Sequence, residues 1–148
     1  MFTKFTAFIT TCLALAGAAS AMPASHAVEE RAAEAGVNIQ LCLSVNFGNC
    51  ITVPAVSGSC VNLVGGLAGW NDDVSGVQIP LGFVCTFYDN FSCLSSGSSD
   101  NGDSVTLQGG NWPSFVSIPG DNGVNVNFDN RVSSFLCTPS FLVDRRLH

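Results

Sequence analysis

Trp70-Asn71-Asp72-Asp73-Val74-Ser75-Gly76-Val77 and Phe128-Asp129-Asn130-Arg131-Val132-Ser133-Ser134-Phe135 are two versions of one phrase. Each runs from an aromatic residue through two Asn/Asp, a variable residue, a valine, a serine and a small residue to an apolar one. Earlier blocks extend the pattern. Cys42-Leu43-Ser44-Val45-Asn46-Phe47-Gly48-Asn49-Cys50 shares its cysteine spacing with Cys85-Thr86-Phe87-Tyr88-Asp89-Asn90-Phe91-Ser92-Cys93. Val61-Asn62-Leu63-Val64-Gly65-Gly66 matches Val105-Thr106-Leu107-Gln108-Gly109-Gly110. The blocks keep their order, which reads as a duplicated structural unit: motif one over 37–79 and motif two over 82–137.

Around this pair the pattern is all-β. Short runs rich in Val, Ile, Phe and Thr alternate with Gly, Asn, Ser and Pro clusters, as in a sandwich. Val37-Asn38-Ile39-Gln40-Leu41 alternates strictly, and Val124, Val126 and Phe128 fall on one face of a second alternating run. Asp100-Asn101-Gly102 and Asp121-Asn122-Gly123 carry the Asn-Gly turn signal. Two units, each too small for a core of its own, are expected to pack face to face as a β-sandwich. Pro80-Leu81-Gly82 reads as the connector. Motif two holds extra residues over 111–127, expected to form a hairpin with strands near Phe115–Ile118 and Val124–Phe128.

The N-terminus reads as a signal peptide over 1–21. Lys4 precedes an apolar run from Phe5 to Ala18, and Ala19-Ser20-Ala21 suits the cleavage rule. The run is shorter than the roughly 20 residues a membrane span needs. Residues 22–35 read as a pro-segment or a disordered arm. A single domain is expected over 36–138, followed by a tail over 139–148. In that tail, Phe141 to Val143 suit an edge strand and Arg145 to His148 a solvated end. The expected location is secreted and extracellular.

Six cysteines follow Cys12: Cys42, Cys50, Cys60, Cys85, Cys93 and Cys137. An even count in a small secreted domain reads as a disulfide framework. If equivalent cysteines pair equivalently, the bonds are 42–50 and 85–93, leaving 60–137. The equal spacing also suits two copies that both bond outward.

The chain carries a net charge of -6, and its only basic residues after Arg31 are Arg131, Arg145 and Arg146, apart from His148. It cannot grip a phosphate backbone, so no nucleic-acid partner is expected. The domain holds no histidine to serve as a base for a serine or cysteine nucleophile. Its aspartates sit mostly in turn-forming contexts. No enzyme activity is expected; a paired-aspartate hydrolase is the only catalytic scheme the composition allows.

The two hexapeptides remain. Asn71, Asp72, Asp73 and Ser75, with Asp129, Asn130, Arg131 and Ser133, concentrate amide, carboxylate, hydroxyl and carbonyl oxygens in two short loops. A hard cation such as calcium takes six to eight oxygen ligands, more than either loop supplies alone. The same residue types also brace tight turns by bonding their own backbone.

The doubled phrase resembles the βγ-crystallin superfamily, whose domains pair two Greek-key motifs in a β-sandwich. Many microbial members carry the calcium signature (Asn or Asp)-(Asn or Asp)-x-x-(Ser or Thr)-Ser. Asp129–Ser134 fits it throughout, and Asn71–Gly76 fits it in all but the last place. The resemblance implies hydroxyl ligands from Ser75 and Ser133. It implies liganding or bracing by Asp72 and Asn130, and backbone carbonyls from Asp73 and Arg131. Oxygens from the opposite motif's hairpin would come from Ser44–Asn46 and Asp89–Asn90. The family hairpin places an aromatic residue ahead of a glycine; here Leu41 stands before Gly48. Motif two has no hairpin glycine, which puts Asn90 or Ser92 at the strained position.

The resemblance implies a secreted, non-catalytic, weakly calcium-binding module with an extracellular structural or stress-related role. The alternative is a secreted interaction protein: an antimicrobial or killer-type toxin, a protease inhibitor or a host-directed effector. It would act through the 111–128 insertion, with Trp112 and Phe115 either exposed toward an extracellular protein or cell-wall partner or capping the sandwich, as large apolar side chains equally do. Asn90-Phe91-Ser92 is an N-glycosylation sequon at Asn90.

Overall fold

The computed structural model describes residues 36–96 and 102–141. The expected signal peptide and pro-segment, residues 97–101 and the tail beyond Phe141 lie outside them. Strands β1 (Gly36–Ser44) and β2 (Gly48–Val56) form a hairpin through a 3-10 turn at Val45–Phe47. The short β3 (Val61–Asn62) follows, then a 3-10 segment at Gly65–Trp70 and the long β4 (Gly76–Tyr88). After a second 3-10 turn at Phe91–Cys93 come β5 (Ser104–Trp112), the two-residue strands β6 (Ile118–Pro119) and β7 (Asn125–Val126), and β8 (Ser134–Pro139).

The ladder runs β2-β1-β4-β8-β3, with β5 along β4. Its antiparallel register shifts between Ile79 and Val84. There Leu81 is 84% exposed and Gly82 takes φ +87°. The connector expected at Pro80-Leu81-Gly82 is thus a bend inside one strand. The backbones cross closely there: a Cβ on Gly109 would lie 2.5 Å from the Pro80 carbonyl oxygen, so only glycine fits. The bend divides the sheet into two halves. β2, β1, Val77–Ile79 of β4 and Gly110–Trp112 of β5 form one. β3, β8, Phe83–Tyr88 of β4 and the start of β5 form the other. Each motif therefore lends its third strand to its partner's half, giving two Greek keys in an all-β sandwich.

One core fills the space between the halves. Burial alternates along β1 as the sequence pattern requires, with Val37, Ile39 and Leu41 inward. Phe87 lies at the centre, its ring 5.6 Å edge-on from Phe115 and 5.9 Å from Phe135. Phe115 is fully buried, the capping placement of the two expected; Trp112 is half-buried, with its indole N–H donating to the Gln108 carbonyl. The expected extra hairpin is present as β6–β7, shorter than its alternation suggested. Val124 is 63% exposed instead of sharing the inward face of Phe128.

The disulfides are Cys42–Cys50, Cys60–Cys93 and Cys85–Cys137. The first is as expected. The 85–93 and 60–137 pairs are corrected, and the cause is register. The two 3-10 turns share left-handed backbone at Asn46 and Phe47 and at Ser92 and Cys93. Val45–Phe47 is therefore equivalent to Phe91–Cys93, and Cys42 to Tyr88. The Ser75 N–H donates to the Cys42 carbonyl and the Ser133 N–H to that of Tyr88, each at 2.8 Å, which confirms the match. The matching cysteine spacings are thus three residues out of phase. Cys85 faces Cys137 directly across β4 and β8, with Cα atoms 4.1 Å apart. The Val61 and Val105 blocks are likewise not equivalent, since β3 pairs with β8 whereas Val105 pairs with Phe87.

Candidate metal centre

The hexapeptides are equivalent in structure as well as in sequence. Asp72 and Asn130 hold the same left-handed backbone, φ 56° and 55°. Short polar side chains tolerate this conformation better than most. The Asp72 N–H donates to the Val132 carbonyl and the Asn130 N–H to that of Val74, both at 3.1 Å. The two loops therefore clasp each other across an approximate two-fold axis.

The side chains repeat this exchange. The Ser75 hydroxyl donates to Oδ1 of Asn130 at 3.3 Å, and the Ser133 hydroxyl to Oδ1 of Asp72 at 3.2 Å. Nδ2 of Asn71 donates to Oδ2 of Asp72 at 2.7 Å, and Nδ2 of Asn130 to Oδ2 of Asp129 at 3.5 Å. Two clusters result: Asn71, Asp72 and Ser133 in one, and Asp129, Asn130 and Ser75 in the other. Each mixes residues of both motifs and holds one carboxylate. Both serines are buried, 6% and 4% exposed.

Among the described residues, the buried side-chain oxygens without a hydrogen-bond partner are Oδ1 of Asn71 and Oδ1 of Asp129. They occupy the same first position of the two hexapeptides. Leaving such a group unsatisfied costs about 1–3 kcal/mol. Recurrence at equivalent places suits a shared ligand in each cluster, and the oxygen-only donors suit a hard cation. Among the described residues no three His, Cys, Asp or Glu side chains gather, so the clusters depend on amides and hydroxyls.

The remaining expected residues are placed differently. Asp73 is exposed in its loop. Arg131 turns away to pair with Asp89 at 2.7 Å, its guanidinium 5.0 Å from the centroid of the Phe128 ring. In the second hairpin, the Asn90 carbonyl accepts the Ser134 hydroxyl at 2.6 Å. The Asp89 carboxylate and the Asn90 carbonyl are thus engaged within the protein. The strained hairpin position falls on Ser92 and Cys93, not on Asn90. In the first hairpin Gly48 has an ordinary φ of -80°; its lack of a side chain makes room for Ser44, whose Cβ would lie 2.9 Å from an added Cβ.

The odd residue of the signature also has a structural cause. A Cβ on Gly76 would stand 2.9 Å from the Trp112 carbonyl oxygen, so the first loop has no room for the final serine. Ser134, its equivalent, bridges the Asn90 carbonyl and the Cys93 N–H. Asn62 and Pro113 escaped the sequence reading. Asn62 Oδ1 accepts the Ser92 N–H at 2.6 Å, and the Pro113 carbonyl accepts the Asn46 N–H at 2.7 Å. The Asn46–Pro113 brace had no sequence signal, because its acceptor is a backbone carbonyl.

The structure is similar in fold to solved βγ-crystallin domains. One from Ciona intestinalis is 25% identical, with a TM-score of 0.44 over 67% of this chain and 96% of that one. One from Flavobacterium johnsoniae is 16% identical, with a TM-score of 0.47 over 68% and 93%. One from Clostridium beijerinckii is 12% identical, with a TM-score of 0.46 over 68% and 97%. No protein-family model and no curated protein sequence matches the chain.

Proposed function

We propose that this chain is a secreted, non-catalytic calcium-binding module of the βγ-crystallin type, with an extracellular structural role. The observation that carries this is the pair of buried, partnerless oxygens at Asn71 and Asp129. Asn71, Asp72 and Ser133 would hold one ion, and Asp129, Asn130 and Ser75 the other, with backbone carbonyls and solvent completing each shell. A bound ion would supply cross-linking of the two motifs and no reaction chemistry. With one carboxylate per cluster, the expected affinity is that of extracellular modules, about 10⁻⁴ to 10⁻³ M. Secretion is supported by the signal-like N-terminus and by three disulfides, which persist in oxidising compartments. Asn90 is exposed, which suits glycan attachment at its sequon. The reading is tested by melting the oxidised protein with and without millimolar calcium. A rise is expected; an unchanged melt overturns it.

The alternative, an interaction protein acting through the insertion, has one observation in its favour. Val116 and Val124 on that segment are 50% and 63% exposed. Burial of Phe115 removes one of the two aromatic contacts on which it rested.

A further inference from the structure

The outer face of the first half-sheet carries an uncharged polar row whose two glutamine places are held by Thr86 and Leu136 in the second half. Gln40 on β1 is flanked by Thr52 on β2 and by Gln78 on β4, and Gln78 is flanked in turn by Asn111 on β5. Val37, Ile39, Leu41, Val77 and Ile79 point into the core, so Asn38, Gln40 and Gln78 point away from it. Four strands at the usual spacing make this row roughly 14 Å long. A groove of about 440 Å³ opens over it, lined by Asn38, Gln40, Gln78 and Asn111, with Gly110 leaving room and Pro80 and Leu81 at one side. Among the described residues, none hydrogen-bonds to the side chains of these four carboxamides.

The second half-sheet is an internal control. Thr86 is flanked by Leu136 on β8 and Thr106 on β5, the ladder places that Gln78 and Thr52 hold around Gln40. The Thr86 and Thr106 hydroxyls lie 3.2 Å apart, within hydrogen-bond reach of each other. The same strand frame is therefore built without carboxamides, and the fold does not require them.

We infer that this face binds a neutral polysaccharide chain. Each carboxamide offers both donors and an acceptor, matching the hydroxyls of a sugar, which also donate and accept. Among the described residues no charged side chain lines the groove, so it offers no opposite charge to a phosphate or a carboxylate. β1 and β4 are paired along both edges here, so on these two strands a ligand must be read by side chains. Leu81, 84% exposed, gives the C–H face of a sugar ring an apolar surface to pack on. The inference does not depend on calcium.

The test is depletion of the full oxidised chain from solution by insoluble β-1,3-glucan, cellulose and chitin, in high salt, with and without chelator. Retention on at least one solid is expected, unchanged by chelator. It should fall at least tenfold in Gln40→Ala/Gln78→Ala and in the near-isosteric Gln78→Glu, which adds a charge and removes the donors. Thr86→Ala/Thr106→Ala on the other half should be retained like the parent. No retention on any of the three solids, or equal retention of both glutamine variants, overturns the inference.

Discussion

The hydroxyl of Ser133 donates to Oδ1 of Asp72 at 3.2 Å across 61 positions of the chain, and Ser75 repeats the contact to Asn130. Each loop thus lends its serine to the other motif's carboxylate or carboxamide. The contact joins the two motifs through the residues proposed to hold calcium.

Calcium should therefore stabilise the whole domain. An ion present at about a hundred times its dissociation constant, bound only to the folded state, adds about 2.7 kcal/mol per site. Asp72→Ala should remove the charge of one cluster and at least halve the calcium-dependent gain. Ser133→Arg should place a cation in that same cluster and abolish its share. Calorimetric titration alongside melting curves measures both.

Arg131 should modulate the same response. Its pair with Asp89 is about one-third exposed on each side, so Arg131→Ala should cost only about 0–1 kcal/mol without calcium. The substitution removes a cation next in sequence to the Asp129–Asn130 cluster and should tighten calcium binding there. An affinity equal to or weaker than the parent's, read in the same titration, contradicts this.

The Gly76–Ser134 asymmetry should appear as opposite demands at one position. Gly76→Ala pushes a methyl against the Trp112 carbonyl, where backbone must move, and should cost about 1–3 kcal/mol. Ser134→Ala orphans the Cys93 N–H and should cost a similar 1–3 kcal/mol. Urea denaturation midpoints give both values.

Peptide mapping of the non-reduced chain should recover Cys42–Cys50, Cys60–Cys93 and Cys85–Cys137. Cys60→Ser/Cys93→Ser should lower stability by about 2–5 kcal/mol. Recovery of an 85–93 peptide would contradict the register described above.

The insertion should behave as part of the core at its base and as surface at its tip. Phe115→Ala, which empties space beside Phe87, should cost about 3–5 kcal/mol. Val124→Ala at the exposed tip should stay within about 0.5 kcal/mol of the parent.

Sequence alone determined what is local or strictly periodic. The alternation of Val37 to Leu41 marked a strand with its core face. The twin hexapeptides marked the duplication and located both oxygen clusters, because the loop conformation is set by residues within a few positions of Asp72 and Asn130. Tertiary structure decided the phase between the copies. Cysteine spacing reports how far apart two residues lie along a strand, not which face they occupy. Side chains alternate faces at every residue, so a slip of three reverses the face. Cys85 shares the inward face of Phe87, whereas Cys42 lies on the face opposite Leu41, and the two sought different partners. The burial of Phe115, the clash that excludes a side chain at Gly76, and the exchange of Ser75 and Ser133 between motifs were likewise decided only in three dimensions. Each depends on an atom brought close by the fold from far along the chain.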